Sequence, residues 1–210
     1  KGNLPIQVTI PNAFSPVFKV RDFGKGLTQE QVFNIFGSYG ESTKRETNEQ
    51  TGCLGLGSKS AFAYVDSFTF VSYCDGFKSV YNCFIDETEI GKIDLLVREP
   101  SDEPSGVEVV ISGKNADLYT FQNRACSFYR YCNPKPIILN DNSVAQYISN
   151  FDSTPILKGD NWQILKDPSD RTVKVMVAMG NIMYPVSLTL FRLDRELLRY
   201  VESYGEFDIL

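Results

Sequence analysis

Two strand-like runs, Ser67–Tyr73 and Phe77–Ile85, stand on either side of Asp75-Gly76. Both are rich in aromatic and β-branched residues, and an Asp-Gly pair between such runs is a strong short-range hairpin signal. The middle of the chain must therefore build antiparallel sheet, and further strands can be added to it. Ile6, Val8 and Ile10 share one face of a strand stopped by Pro11-Asn12. Val17 to Arg21 alternates again, with Phe18 and Val20 expected inward, and runs directly into Asp22. Ile90–Arg98 and Val107–Ile111 are two more strands, separated by the acidic loop Glu99–Glu103.

Helices are expected at three places in this framework. Thr28-Gln29-Glu30-Gln31 has the Thr-x-x-Gln form of a capping box, and Val32, Ile35 and Phe36 follow at helical spacing, which predicts a short helix over 28–36. Ser58 is expected to cap another through Tyr64. Residues 114–132 place Leu118, Phe121, Ala125, Phe128 and Tyr129 on one helical face. Asn133-Pro134-Lys135-Pro136 then breaks the pattern and sets an expected boundary between a domain over 1–133 and a second over 134–210. Beyond it the sequence predicts strands near 136–140, 162–166, 173–179 and 182–190, then an amphipathic helix from Leu190 to Tyr204.

Composition narrows the chemistry. The 210 residues contain no histidine, which removes Ser-His-Asp and Cys-His catalysis, histidine metal ligands and histidine phosphotransfer within this chain. The net charge of −5 argues against a nucleic-acid or anionic-membrane surface. Five cysteines with no Cys-x-x-Cys read as reduced, buried thiols. The longest apolar run, Val173–Phe191, is interrupted by Lys174, Gly180-Asn181 and Pro185, so it reads as two strands and not as a membrane span. The start at Lys1 and the strand-like end Phe207-Asp208-Ile209-Leu210 read as a fragment of a longer protein.

The chemistry gathers at Asp22-Phe23-Gly24-Lys25-Gly26 and at Gly52-Cys53-Leu54-Gly55-Leu56-Gly57-Ser58-Lys59-Ser60. A carboxylate at a strand end, as at Asp22, can accept from the exocyclic amine of adenine, and Gly24 and Gly26 let backbone lie close to a flat ring. A glycine loop that opens a helix presents bare N–H groups beside the positive end of the helix dipole, which suits phosphates. That gives Gly52, Gly55, Leu56 and Gly57 as phosphate-loop candidates, with Lys44, Arg45 and Lys59 as nearby cations. Residues 37–57 between the two stretches read as a loop of about twenty residues, a length typical of functional lids. The second stretch is neither a Walker loop, since Lys59 stands two residues after Gly57, nor the dinucleotide fingerprint, whose spacing it reverses. Asp22-Phe23-Gly24 spells a protein-kinase triplet, without the other kinase motifs.

The order of these pieces (strand, Asp-x-Gly-x-Gly, helix, lid, Gly-x-x-Gly-x-Gly, helix, hairpin, Ser105-Gly106 opening a strand) resembles the GHKL ATPases. The resemblance implies an α+β fold: a mixed, mainly antiparallel sheet with helices on one face, followed by a smaller transducer-like unit of the ribosomal-S5 type. It implies ATP and Mg²⁺ as cofactors, Asp22 on adenine, Gly24 and Gly26 as the first glycine box, Gly52, Gly55 and Gly57 as the second, and Ser105 as a hydroxyl that helps Asp22 hold a water. Val20–Gly26, Tyr39–Lys44 and Gly55–Tyr64 are similar in particular to the rIIA lysis-inhibition proteins of large tailed bacteriophages. That likeness implies a phage protein in the cytoplasm of an infected bacterium or at its inner membrane, an ATP-dependent homodimer, and a second phage protein as partner. The family's catalytic glutamate and Mg²⁺-holding asparagine lie on a helix that, by this resemblance, ends just before Lys1. No catalytic residue and no metal ligand is therefore assigned within the chain, and Cys53 stands where the family has glycine. Three readings remain: an ATPase switch, a nucleotide-dependent interaction protein with negligible turnover, or a topoisomerase- or MutL-like subunit acting on DNA.

Overall fold

The hairpin is formed as its turn residues require. A computed structural model describes residues 4–37, 57–88, 90–160, 163–166, 174–179, 182–186 and 207–209. In it β3 (Ser67–Cys74) and β4 (Phe77–Ile85) pair antiparallel with Cys74 opposite Phe77. Asp75 and Gly76 both take positive φ, 54° and 75°, as a two-residue turn matched to strand twist demands.

Around this hairpin stand β1 (Gln7–Thr9), β2 (Val17–Arg21), β5 (Gly91–Pro100), β6 (Gly106–Ser112) and β7 (Ile137–Ile138). The seven strands run in the order β5-β4-β3-β6-β2-β1-β7. Every pairing is antiparallel except β1 with β7. The insertion of β6 between β3 and β2 brings the residues before β6 against the end of β2, where Asp22 stands.

Helix α1 (Gln29–Gly37) begins at the expected capping box. The Thr28 N–H donates to Gln31 Oε1 (3.0 Å) and the Gln31 N–H donates to Thr28 Oγ1 (3.3 Å). The box satisfies two N-terminal donors that the helix cannot satisfy itself. Thr28→Ala should cost about 1 kcal/mol in urea-unfolding stability. From α1, the buried Val32 joins Ala61 of the 3-10 segment Gly57–Ala63, Phe68 and Phe70 of β3, and Tyr81 and Cys83 of β4 in one core. Val107, Val109 and Ile111 of β6 pack against the same cluster. Where a short helix from Ser58 to Tyr64 is expected, the chain forms this 3-10 segment.

The next α-helix, α2 (Leu118–Tyr129), follows a 3-10 turn at Asn115–Asp117 and lies on the same face. Its Phe121 ring meets Phe18 at 5.2 Å and Tyr64 at 5.4 Å, and Phe18 pairs with Ile111 of the core face. Ala125 and Tyr129 are buried as the spacing predicts, but Phe128 is 42% exposed and touches the Tyr129 ring from the rim. On β2, Phe18 and Val20 are only half-buried; the buried residue is Arg21.

The chain divides into two units, Lys1–Arg130 with Pro134–Ser149, and Tyr131–Asn133 with Asn150–Leu210. Residues 134–149, expected to open the second domain, group with the first unit, and Ile137–Ile138 join its sheet. The Ile137 and Leu139 N–H groups donate to the carbonyls of Ile6 and Val8 (2.8 and 2.9 Å), and the Asn140 amide exchanges two bonds with the backbone of Ile10. Asp141 then caps a helix missing from the sequence reading, α3 (Asn142–Asn150), by accepting from the Ser143 and Val144 N–H groups, both 3.0 Å.

The second unit holds β8 (Pro155–Lys158), β9 (Gln163–Lys166), β10 (Lys174–Met179), β11 (Ile182–Val186) and β12 (Phe207–Ile209). They form a sheet in the order β11-β10-β12-β9-β8, with β10 and β12 parallel. The helix expected over 190–204 lies outside the described residues. Among the described residues no helix is long and apolar enough to cross a membrane.

Candidate functional site

Strand β2 ends because a side chain takes over its ladder. The Asp22 N–H still donates to the Val107 carbonyl (2.9 Å), as the pairing of β2 with β6 requires. The return bond goes elsewhere: the Val107 N–H donates to Asp22 Oδ1 at 3.0 Å. The Gly24 N–H donates to the same oxygen, also at 3.0 Å. One carboxylate oxygen therefore stands in for a backbone carbonyl and closes a tight turn, a habit of aspartate. Its other oxygen, Oδ2, has no hydrogen-bond partner among the described residues. The side chain is fixed in place with an acceptor left over.

Two glycines make this arrangement possible. At Gly106, φ is 149° and a Cβ would fall 2.1 Å from the Asp22 carbonyl oxygen, so only glycine lets β6 begin against Asp22. At Gly26, φ is 71° and a Cβ would fall 2.1 Å from the Tyr73 carbonyl oxygen. Close approach of the loop to β3 is the structural reason for that glycine. Gly24 is less constrained, since a Cβ there would meet only Asp22 Oδ1 at 3.4 Å.

Ser72 holds the loop from below. Its buried hydroxyl accepts from the Leu27 N–H (2.8 Å) and donates to the Leu27 carbonyl (2.7 Å), which fastens the end of the first glycine box to β3. The sequence carried a signal for it: a polar residue in phase with Phe68 and Phe70 on the core face. Beside the loop sits Cys74, whose Cβ lies 3.2 Å from the Cβ position at Gly26. Burial, followed by the Asp75 charge, pushes the Cys74 thiol up, away from the reactive thiolate.

Asp22, Gly24, Gly26 and Ser105 thus come together. Ser105 is linked to the cluster by its hydroxyl, which donates to the Gly24 carbonyl at 2.9 Å. Gly57 and Lys59 fall in the 3-10 segment Gly57–Ala63. Lys44, Arg45, Gly52, Gly55 and Leu56, with the lid expected over 37–57 that holds them, lie outside the described residues, Gly37 and Gly57 apart. The sequence gives no site role to Ser72 or Arg21, and places Gly106 only at the opening of a strand.

The mixed sheet with its helices makes an α+β fold, with the strand-end aspartate and the glycine-lined turn at one end of β2. Solved structures carry the comparison further. The chain is similar to the ATPase and transducer domains of DNA topoisomerase II from Balamuthia mandrillaris, with TM-score 0.54 and 18% identity over 85% of this chain and 54% of that one. It is also similar to the ATPase region of Saccharomyces cerevisiae topoisomerase II, with TM-score 0.57 and 13% identity over 97% of this chain and 65% of that one. The same yeast region bound to ICRF-187 (dexrazoxane) gives TM-score 0.55 and 14% identity over 97% and 66%. The chain spans between about half and two thirds of the length of these proteins. No protein-family model matches the sequence, and no curated protein matches it.

Proposed function

We propose that the chain binds an adenine nucleotide, with ATP as the ligand, and works as a nucleotide-dependent conformational switch. The observation that carries this reading is the Asp22 carboxylate. Oδ1 is committed to the Gly24 and Val107 N–H groups, and Oδ2 is left to accept from the adenine amine at the end of a strand. The GHKL-like fold supports it, because its neighbours are the ATPase regions of topoisomerases II. The glycine stretch 52–57 would take the phosphates, with Lys44 and Lys59 as cations and Ser105 at the adenine edge.

Among the described residues no three His, Cys, Asp or Glu side chains converge to hold a metal ion, so no step is assigned to Mg²⁺. It enters the proposal as the companion of the nucleotide's phosphates. The finer reading rests on the rIIA-like motifs: a phage protein in the cytoplasm of an infected bacterium, homodimeric with ATP bound, acting with a second phage protein in control of host lysis.

Titration calorimetry with ATP and with GTP tests it. Guanine presents a carbonyl where adenine presents its amine, and a carbonyl facing a carboxylate leaves two acceptors without a donor. ATP is expected to bind at least about 100-fold more tightly than GTP. Equal affinities, or none for ATP, would overturn the reading.

A further inference from the structure

Arg21 precedes the proposed base-reading residue and makes none of the bonds that hold Asp22. It is nonetheless 6% exposed on a sheet face, where an arginine is rarely buried without a purpose for its charge. Its guanidinium carbon lies 3.7 Å over the Tyr73 ring and 5.2 Å from the Phe23 ring. Nη2 donates to the Pro104 carbonyl at 2.8 Å. The Glu103 carboxylate is 3.7 Å from Nη2 but well exposed, so that ion pair contributes little.

Each of the close contacts lands on a different piece of the Asp22 cradle. Phe23 belongs to the first glycine box. Tyr73 supplies the carbonyl against which Gly26 packs. Pro104 stands immediately before Ser105 and Gly106, the residues that bond Gly24 and crowd the Asp22 carbonyl. We infer that Arg21 is a positioning residue of the nucleotide site: it pins the 104–107 turn and β3 to the end of β2, so that Val107 meets Asp22 Oδ1 and Oδ2 stays turned to the base. This rests on the nucleotide reading. A planar guanidinium can stack on one ring and donate in its own plane at once, which a lysine ammonium cannot.

The test uses the full chain with Arg21→Lys and Arg21→Met. Binding of ATP and of adenosine is measured by calorimetry, and exchange of the Val107 amide by NMR. Because the defect lies at the base end, both ligands should weaken by the same factor, on the order of tenfold. Val107 exchange should rise in both variants while amides of β4 keep their rates. Should Arg21→Met not fold, Arg21→Lys carries the same comparison. A lowered melting temperature with unchanged affinities and unchanged Val107 exchange would overturn the inference, leaving Arg21 a packing residue. A loss for ATP but not for adenosine would also overturn it, placing the arginine on the phosphates. If the wild type binds neither ligand, the nucleotide reading fails by itself, and Val107 exchange still decides whether Arg21 holds the cradle.

Discussion

Asp22→Asn should weaken ATP binding by about 100-fold, roughly 2.7 kcal/mol, while the protein stays folded. The substitution is nearly isosteric. The asparagine Oδ1 can still accept from the Gly24 and Val107 N–H groups that fix the side chain. What changes is the atom facing the base. A carboxylate oxygen that accepts from the adenine amine becomes an amide nitrogen that donates, and two donors then face each other. Losing a charge-assisted bond and leaving a donor unsatisfied supports a penalty of this size. Calorimetric affinities with thermal unfolding as the fold control would check it. Asp22→Ala makes a useful contrast, because it also strips the Val107 N–H of its partner and should lower the melting temperature.

Gly26→Ala should be among the most damaging single changes to the fold, at about 3 kcal/mol or more by urea unfolding. Two costs combine there. The positive φ of 71° disfavours any side chain, and the added Cβ would fall 2.1 Å from a backbone carbonyl that cannot swing aside. Gly76 separates the two. It has nearly the same φ, 75°, but nothing within 4 Å of its Cβ position, so Gly76→Ala should cost only about 1 kcal/mol. Near-equal losses at the two positions would show that the loop yields at Tyr73, and that its approach to β3 is not rigid.

The parts of the fold legible in the sequence were those that local chemistry decides. Asp75-Gly76 dictated its hairpin, and Thr28 with Gln31 dictated the start of α1, because in each case the residues that bond are near neighbours in the chain. The strand-end position of Asp22 was readable from the alternation of Val17–Arg21 that runs into it. Helix α3 was missed although Asp141 and the pair Val144 and Ile148 carried a cap and a four-residue spacing. The Pro-Lys-Pro run just before it suggested a domain break instead. The return of residues 137–140 to β1 could not be read locally, since it depends on bonds to Ile6, Val8 and Ile10.

At the site, the residue types were readable but their reasons were not. Gly26 is expected from its motif alone; that it also packs against the Tyr73 carbonyl depends on β3, which its chain neighbours do not reveal. The bond from the Ser105 hydroxyl to the Gly24 carbonyl joins residues far apart in the chain and could not be read locally. Strand alternation turned Arg21 away from the core, and the nearer of the two rings at its guanidinium comes from β3, placed two strands away by the insertion of β6. Such contacts arise from topology, which period and spacing do not encode.

The most direct test of the central claim is an ATP titration of the wild-type protein followed through the backbone amide resonances of Gly24 and Val107. Both amides donate to the carboxylate proposed to read the base. The account predicts that both shift saturably with ATP in the wild type and that neither approaches saturation in Asp22→Asn at the same concentrations. If ATP saturates the protein and leaves both resonances where they were, Asp22 does not contact the nucleotide and the proposed site is wrong.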